Sequence, residues 1–370
     1  MFEILKQIYL NSIIYDKILT DKSIKELRYK PSAHLQSSIV KIKTKKFNIH
    51  DFSHDDFWTN KYLNEKQLQK LNNFYWLFSL DLKSPSKSVQ TIIKNWIEKN
   101  HKYNSKTWEF ELTSKRIISL LSNTNLTYDN GEEQYQKDFN FIIHKQTLHL
   151  INQIEKETCL TNKIIGAAAI ILVGLSYKSE RNIKLKGLEH LKKIINYTFN
   201  NVGILKSRNI KSSIFFLKYL ILIREWFKES QSEIPEFVDE YIFNLGQSYA
   251  FFWSNLKFDP LFNGNNNSNN EEFDIYLKRH GYSFKNDNFE FSDYVSFKNK
   301  KINLIMDIGS SPNKKFSEKY QAGALSFEFA SKGKKIFTNS GYFEENNSKY
   351  NQISKSSAAH NVLTVDDNSS

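Results

Sequence analysis

The chain of 370 residues is poor in several residue types, with one cysteine, two methionines, five prolines and 12 glycines. A single cysteine, Cys159, cannot form a disulfide within the chain, so the composition implies no particular redox compartment. No apolar run is long enough to cross a bilayer, because a spanning helix needs about 20 apolar residues. The longest run, IIGAAAIILVGL at residues 164–175, is shorter than that and predicts a buried helix instead.

Two kinds of signal are also missing. The N-terminus, MFEILKQIYLNSIIYDKIL, has no basic start followed by a clean apolar block and a small-residue cleavage site, so it does not match a secretory signal. Either the protein stays inside the cell or its export signal lies outside this sequence. No motif for DNA or RNA binding is visible, which disfavours nucleic acid as a partner.

Apolar, aromatic and basic residues are abundant in the chain. The chain is 40% hydrophobic with 29 phenylalanines and 19 tyrosines, so it predicts folded domains with packed interiors. Its length exceeds what one core usually serves, and we therefore expect two domains. The net charge of +12 favours a polyanionic partner, such as an acidic polysaccharide or a membrane surface. The lysines are spread thinly, however, which is typical of solvated helix faces.

Up to about residue 252 the apolar residues recur at helical spacing. Val89, Ile92, Ile93, Trp96 and Ile97 form one stripe, and similar stripes predict further helices. The segment 214–228 is apolar on nearly all sides, so we expect it to lie between neighbouring helices. Gly166 and the three alanines that follow it predict a close approach between two helices.

After the Asn-rich segment NGNNNSNN, at residues 263–270, the apolar period becomes two. The pairs 294–297 with 302–306 and 325–329 with 335–338 predict two hairpins, with turns at Asn299 and Gly333. Residues 361–365 alternate again and predict another strand. We therefore expect a helical domain at 1–258, a polar linker at 259–272 and an antiparallel β-sandwich at 273–370. Too few strands are present for a complete sandwich, so we expect the sequence to be a fragment or its last domain to be incomplete.

Three segments of the C-terminal part carry a family resemblance. YQAGALSFEF, GKKIFTNSGYF and SKSSAAHNVLTVDD, within residues 320–367, resemble the C-terminal sandwich of the heparinase II/III family. The helical part is similar to the same family at Trp108 and Ser114-Lys-Arg-Ile-Ile, at Asn162-Lys163 and at Lys206-Ser-Arg-Asn. The resemblance covers roughly residues 90 to 367.

The resemblance implies a multidomain α+β fold: an incomplete (α/α) toroid followed by an antiparallel β-sandwich, which is truncated here. Members of this family cleave uronic-acid-containing glycans, among them glycosaminoglycans, by β-elimination. The resemblance therefore implies a polysaccharide lyase with an acidic polysaccharide as substrate. It also implies a periplasmic or cell-envelope location, with the cytoplasm as the alternative because no signal peptide is visible. The oligomeric state is not predicted.

β-Elimination needs a group that neutralises the uronate carboxylate, a base for the C5 proton and an acid for the leaving oxygen. By resemblance, the Asn162 amide is the candidate for binding the carboxylate, although Asn162 is also placed to be a helix N-cap. Lys163 replaces a family histidine and is a candidate substrate contact. Gly166 replaces a family acid on the same helix face. The positions of the family Tyr-His pair are occupied by Ser212 and Ser213, neither of which can act as a base at neutral pH.

The resemblance also implies a zinc site, whose positions are Gln321, Asn339 and His360 here. Two neutral amides and one imidazole make a weak zinc set, so we predict no tightly bound zinc and no other cofactor. His360 stays open as a structural or catalytic residue, and Gln321 as a substrate contact.

Two more residues complete the candidate set. Tyr350 lies where some relatives have a catalytic tyrosine, although most tyrosines in such a chain serve packing. Arg208 could bind an anionic sugar or form a salt bridge. If a site persists, Asn162, Arg208 and Tyr350 are expected to line one cleft.

Three hypotheses remain: a lyase with a rearranged site, a catalytically degenerate relative that binds acidic surface polysaccharide, and a helical scaffold that docks a partner protein.

Overall fold

The computed structural model describes residues 2–20, 26–39, 58, 64–81, 84–178, 181–254, 260–266, 270–345 and 348–366. Helices dominate up to residue 279, and a five-stranded sheet follows. The helices in chain order are α1 (Phe2–Leu10), α2 (Ile13–Ile18), α3 (Ala33–Ile39), α4 (Glu65–Leu71), α5 (Ser86–Asn100), α6 (Phe110–Ser122), α7 (Thr124–Thr127), α8 (Glu133–Gln153), α9 (Leu160–Ser176), α10 (Arg181–Thr198), α11 (Ile210–Glu229), α12 (Glu236–Tyr249), α13 (Glu271–Arg279) and α14 (Lys349–Lys355).

The apolar stripes form the helices that the sequence predicts. The stripe from Val89 to Ile97 is the buried face of α5, and residues 164–173 of α9 are buried on all sides. Gly166 on α9 lies against the Phe110 ring of α6, since a Cβ at residue 166 would stand 2.4 Å from that ring. The predicted close helix approach is thus confirmed. None of the helices among the described residues is both long and apolar enough to cross a membrane.

The chain divides into two compact units. The first unit comprises Met1–Ile194 and Leu222–Ile234, and the second comprises Ile195–Ile221 and Pro235–Ser370. Helix α11 therefore contributes residues to both. The domain limits at 258 and 272 differ from these boundaries and stay a prediction, and residues 259 and 267–269 of the linker lie outside the described residues.

The sheet of the second unit is an antiparallel meander in the order β1-β2-β3-β4-β5. The two predicted hairpins are confirmed as β2 with β3 and β4 with β5. The toroid and the second layer of a sandwich stay predictions. The strands are β1 (Glu290–Phe291), β2 (Tyr294–Lys298), β3 (Ile302–Asp307), β4 (Phe327–Ser331) and β5 (Lys334–Phe337).

The two faces of the sheet differ in composition and burial. Strand alternation and register place Tyr294, Ile305, Asp307 and Glu328 on one face, where each is at most 1% exposed. Tyr294 and Ile305 join the core of the second unit, whose other members come from the segments before β1: Ile204, Ile210, Phe251, Phe252 and Phe262. The buried face therefore carries polar and charged side chains beside its apolar core.

The opposite face is mostly apolar and only partly covered. Its apolar members, a set that we call the open face, are Val295, Phe297, Ile302, Leu304, Met306, Phe327, Phe329 and Phe337. Phe297 and Phe337 on it are 49% and 52% exposed. A partly exposed apolar face is what one layer of a sandwich presents, and it supports the predicted sandwich without demonstrating its second layer.

The strand predicted at residues 361–365 is wrong. Residues 361–364 form a bend and irregular backbone, and no strand of the sheet includes this segment. Leu363 and Val365 are 59% and 64% exposed, so the alternation of apolar residues does not correspond to a buried face. Asn361 contacts the sheet, where its carbonyl accepts a hydrogen bond from Phe327 N at 3.2 Å, and Val365 is a single bridge residue.

Candidate functional site

Asn162 and Lys163 lie in the first turn of α9. The helix begins at Leu160 with Cys159 as its N-cap residue, so the N-cap alternative for Asn162 is wrong. Both side chains are partly exposed. Among the described residues, no hydrogen bond of the Asn162 amide and no ion pair of the Lys163 ammonium is found. Both groups are therefore available to an external ligand.

An open cavity of about 360 Å³ in the first unit ends beside residues 157–158, just before α9. Asn162 and Lys163 do not line it. Its acids are already engaged, since Glu109 Oε2 accepts from Leu112 N at 2.9 Å and Glu157 Oε1 accepts from Cys159 N at 2.8 Å. Its other lining groups include two amines, an amide and aromatic rings, which suit an acidic sugar: Lys6, Tyr103, Trp108, Gln153 and Lys156.

His149 forms part of the wall of this cavity and is 2% exposed. Its Nδ1 lies 2.8 Å from the Tyr15 hydroxyl, and its Nε2 lies 3.2 Å from the Trp108 carbonyl oxygen. The carbonyl can only accept, so Nε2 carries the proton and Nδ1 accepts from Tyr15. Burial lowers the pKa of His149 to about 3, and burial likewise raises the pKa of Tyr15. His149 is thus a neutral structural histidine near neutral pH.

Arg208 lies in the second unit, just before α11, and is 5% exposed with a left-handed φ of 60°. Its Nη2 pairs with Asp307 Oδ1, and its Nη1 donates to the Ser310 carbonyl oxygen at 2.8 Å. The guanidinium also lies 5.0 Å from the centre of the Tyr294 ring. These contacts favour the salt-bridge alternative over substrate binding, because a sugar would have to displace a buried carboxylate.

The Arg208 and Asp307 pair is held by further polar groups. Asn263 Nδ2 donates to Asp307 Oδ2 at 2.8 Å, and Gly309 N donates to Asp307 Oδ1 at 3.0 Å. Burial lowers the pKa of Arg208, but Tyr294 and Asp307 raise it by more, so that it lies above its ordinary value. Arg208 is therefore charged near neutral pH.

Gln321 is 2% exposed and uses its whole amide in the interior of the second unit. Its Oε1 accepts from Gly264 N at 2.9 Å, and its Nε2 donates to the carbonyl oxygens of Gly341 at 3.0 Å and Ser354 at 2.5 Å. A reversed amide would place its nitrogen against an N–H and its oxygen against two carbonyls, so the partners determine this orientation. These bonds leave no polar atom of Gln321 for a substrate.

His360 and Asn339 are engaged in the same region. His360 Nε2 lies 3.0 Å from the Ser354 carbonyl oxygen and 3.3 Å from Gln321 Nε2. Burial lowers the pKa of His360, although the hydrogen bond to Ser354 raises it. Asn339 is 1% exposed, and its Oδ1 accepts from Asn361 N at 2.9 Å.

These three side chains do not fit a zinc ion. The amide nitrogen of Gln321 has no lone pair to donate, His360 Nε2 carries the proton that it gives to Ser354, and Asn339 Oδ1 already accepts an N–H. No group of three or more His, Cys, Asp or Glu side chains suited to a metal is found anywhere in the described part of the chain. The absence of a cofactor nevertheless stays a prediction.

Tyr350 lies on α14 and is 66% exposed, with its ring 5.7 Å from the ring of Phe343. Within the described residues its hydroxyl makes no hydrogen bond, so it is open to solvent and to a ligand. Ser212 and Ser213, at the positions of the family Tyr-His pair, lie in the first turn of α11. The backbone N–H of Ser212 donates a hydrogen bond to Asn209 Oδ1 at 2.8 Å.

The structure assigns the six candidates to different units. Asn162 and Lys163 belong to the first, whereas Arg208, Gln321, Tyr350 and His360 belong to the second. The expectation that Asn162, Arg208 and Tyr350 line one cleft stays a prediction.

Sequence reasoning missed two buried acids, Asp307 and Glu328. Glu328 Oε1 accepts from Leu261 N, Thr338 Oγ1 and Asn339 N at 3.1, 2.9 and 3.1 Å, and its Oε2 pairs with Lys335 Nζ at 3.0 Å. Both acids alternate with apolar residues along a strand, and Asp307 shares the face of Ile305. An acid at that position in a strand pattern is the signal for a buried charge that needs a partner.

The family model "Heparinase II/III-like, C-terminal" matches residues 285–370, which confirms the resemblance for this part of the chain. No curated protein matches the sequence. Among solved structures, a mutant of heparan sulfate lyase HepC from Pedobacter heparinus is similar with a TM-score of 0.69 and 14% identity, over 96% of this chain and 64% of that one.

Two heparinase III structures are also similar. The BT4657 gene product aligns with a TM-score of 0.65 and 14% identity, over 93% of this chain and 63% of that one. Another heparinase III aligns with a TM-score of 0.63 and 14% identity, over 96% and 67%. At such identities the likeness shows the fold, a helix-rich part followed by an antiparallel sheet. The chain spans about two thirds of the length of these structures.

Proposed function

We propose that this protein is a polysaccharide lyase of the heparinase II/III type, acting on uronic-acid-containing glycans by β-elimination. The observation that carries the proposal is the family match over residues 285–370, on a chain whose described fold aligns with a heparan sulfate lyase over 96% of its length. A periplasmic or cell-envelope location belongs to the same proposal. The net charge of +12 would attract such a polyanion.

The proposed chemistry uses the side chains that remain uncommitted. The Asn162 amide would donate a hydrogen bond to the uronate carboxylate, which makes the C5 proton more acidic. Lys163 would add a positive charge to the same interaction. The Tyr350 phenol would take the C5 proton or protonate the leaving oxygen, since its hydroxyl faces solvent and makes no hydrogen bond within the described residues. No metal is required in any of these roles.

A second candidate is a catalytically degenerate relative that binds acidic polysaccharide without cleaving it. A specific observation favours it: Arg208, Gln321 and His360 are all engaged with partners inside the second unit. The serines at 212 and 213 supply no general base. In this case the cavity lined by Lys6, Gln153 and Lys156 would serve for recognition.

One experiment separates the two candidates. The protein is incubated with heparan sulfate, hyaluronan, chondroitin and alginate, and the ultraviolet absorbance of the unsaturated uronate product is followed. Tyr350→Phe should lower the turnover about 100-fold or more, because it removes a group that transfers a proton. Tyr197→Phe is the matched control, since Tyr197 is also an exposed tyrosine of the second unit, at 50%.

Binding is measured in parallel. Lys156→Gln should weaken binding of the preferred glycan, whereas Lys186→Gln, an exposed lysine that does not line the cavity, should leave it unchanged. Binding without any unsaturated product would establish the second candidate. Neither product nor binding with any uronate polymer would contradict both.

A further inference from the structure

The Gln321 side chain joins three separate segments of the second unit. Its oxygen holds Gly264 in the 260–266 loop, and its nitrogen holds Gly341 in the turn after β5 and Ser354 near the end of α14. These partners are 57, 20 and 33 residues away in sequence. Each bond is buried, so the amide acts as a cross-link between backbone segments that share no secondary structure.

The neighbourhood of Gln321 is where the resemblance would put a metal ion. His360 Nε2 lies 3.3 Å from Gln321 Nε2, and both nitrogens point at the same acceptor, the Ser354 carbonyl oxygen. A zinc ion would need lone pairs at this place, whereas the side chains present offer N–H groups. Gln321 and His360 thus present hydrogen-bond donors where a metal site would present lone-pair donors.

The side chain of Asn339 is only partly satisfied by hydrogen bonds. Its Oδ1 is satisfied by Asn361 N, next to His360, but its Nδ2 is buried without a hydrogen-bond partner in the described structure. A buried orphan donor is costly in a native protein. An aspartate at residue 339 could make the same bond to Asn361 N and would leave no orphan donor, because a carboxylate carries no N–H. Its second oxygen would be a potential metal ligand.

We infer that the Gln321 amide performs the structural task of a metal ion, so that the second unit is held together by hydrogen bonds where the resemblance implies zinc. The site keeps one imidazole and the backbone frame, and it is two substitutions away from a set of two histidines and one aspartate. The inference rests on the resemblance for the position of the zinc site and on the contacts of Gln321, not on lyase activity, so a protein without that activity would leave it valid.

The purified full-length chain is the first test. Zinc content is measured by elemental analysis after equilibration with a small excess of zinc and desalting, and thermal unfolding is recorded with zinc or with a chelator. We expect substoichiometric zinc and the same melting temperature in both. One zinc per chain, with a melting temperature that falls in chelator, would overturn the inference.

The cross-link is tested by Gln321→Ala. This change leaves one buried N–H and two buried carbonyls without that partner, and the melting temperature should fall by roughly 5–10 °C. Gln352→Ala is the control, because Gln352 lies on the same helix as Ser354 and is exposed. Equal stability of Gln321→Ala and the control would overturn the structural role.

The origin of the site is tested by combining Gln321→His with Asn339→Asp. We expect this variant to bind one zinc per chain and to gain several degrees of melting temperature when zinc is added. A folded double variant that binds no zinc would contradict a converted metal site. If the double variant does not fold, the zinc content of the natural chain and the stability of Gln321→Ala still decide the matter.

Discussion

Burial fixes the protonation state of His149, and this makes part of the stability dependent on pH. The folded pKa is about 3, whereas an unfolded histidine titrates near 6.5. The unfolded chain therefore binds a proton that the folded chain rejects as the pH falls below about 6.5. The stability linked to His149 is complete above that pH and is lost progressively towards pH 3.

We predict that the unfolding free energy of the natural protein falls more steeply with decreasing pH than that of His149→Gln. The difference in slope should approach about 1.4 kcal/mol per pH unit between pH 6 and 4. Urea unfolding at a series of pH values measures it. Equal slopes for the natural protein and His149→Gln would contradict the prediction.

The ion pair of Arg208 with Asp307 is predicted to be structural. Arg208→Met leaves a buried carboxylate without its partner and should cost about 3–5 kcal/mol of unfolding free energy. The double variant with Asp307→Asn should cost less than the sum of the two single changes, which a double-mutant cycle measures. Arg279→Met, at an exposed arginine of α13, should cost little, and additive effects in the cycle would exclude a direct coupling.

At the scale of elements, close packing of α9 depends on its glycines. A Cβ at Gly174 would stand 2.4 Å from the backbone nitrogen of Lys184 on α10, and a backbone cannot move aside as a flexible side chain can. Glycine is required at residue 174 for steric reasons. This requirement opposes helix propensity, because alanine usually stabilises a helix relative to glycine.

Gly174→Ala should therefore destabilise the protein by about 1–3 kcal/mol, although propensity alone predicts a gain of up to about 1 kcal/mol. Thermal or urea unfolding decides the sign. Gly323→Ala serves as control, because a Cβ there meets nothing closer than 3.3 Å. Stabilisation by Gly174→Ala would show that α9 and α10 can separate at little cost.

Elements with a long, regular pattern are predictable from the sequence, and single contacts are not. The stripe from Val89 to Ile97 and the hairpin turn at Asn299 follow from local spacing. The segment 361–365 has the spacing of a strand, but within the described residues it belongs to no strand of the sheet, and strand pairing is a tertiary property. The sequence also does not predict the start of α9, since Cys159 takes the N-cap position without a side-chain hydrogen bond to the backbone of the first turn.

For the candidate site, too, the sequence predicts the region but not the individual contacts. The resemblance located Gln321, Asn339 and His360 in one region, and hydrogen bonds connect the segments that carry them. It did not show that Arg208 pairs with Asp307, because the two residues are 99 positions apart and only folding brings them together. Asn162 and Tyr350 keep polar groups that have no partner within the described residues, which no pattern in the sequence could establish.

For the whole molecule, the charge of +12 leads to a prediction about salt. Binding of a uronate polymer should weaken about tenfold between 50 and 200 mM salt, because counterions are released from the polyanion and surface charges are screened. Isothermal titration or a filter assay measures this dependence. A neutral dextran should show no binding, and salt-independent binding of the acidic polymer would indicate apolar recognition instead.

The amide of Gln321 also bears on how the molecule matures in a cell. A side chain is delivered by the ribosome together with the rest of the polypeptide, whereas an ion has to be captured from a limited and regulated supply. Cells starved of trace elements should therefore accumulate this protein in its finished form as readily as well-supplied cells do.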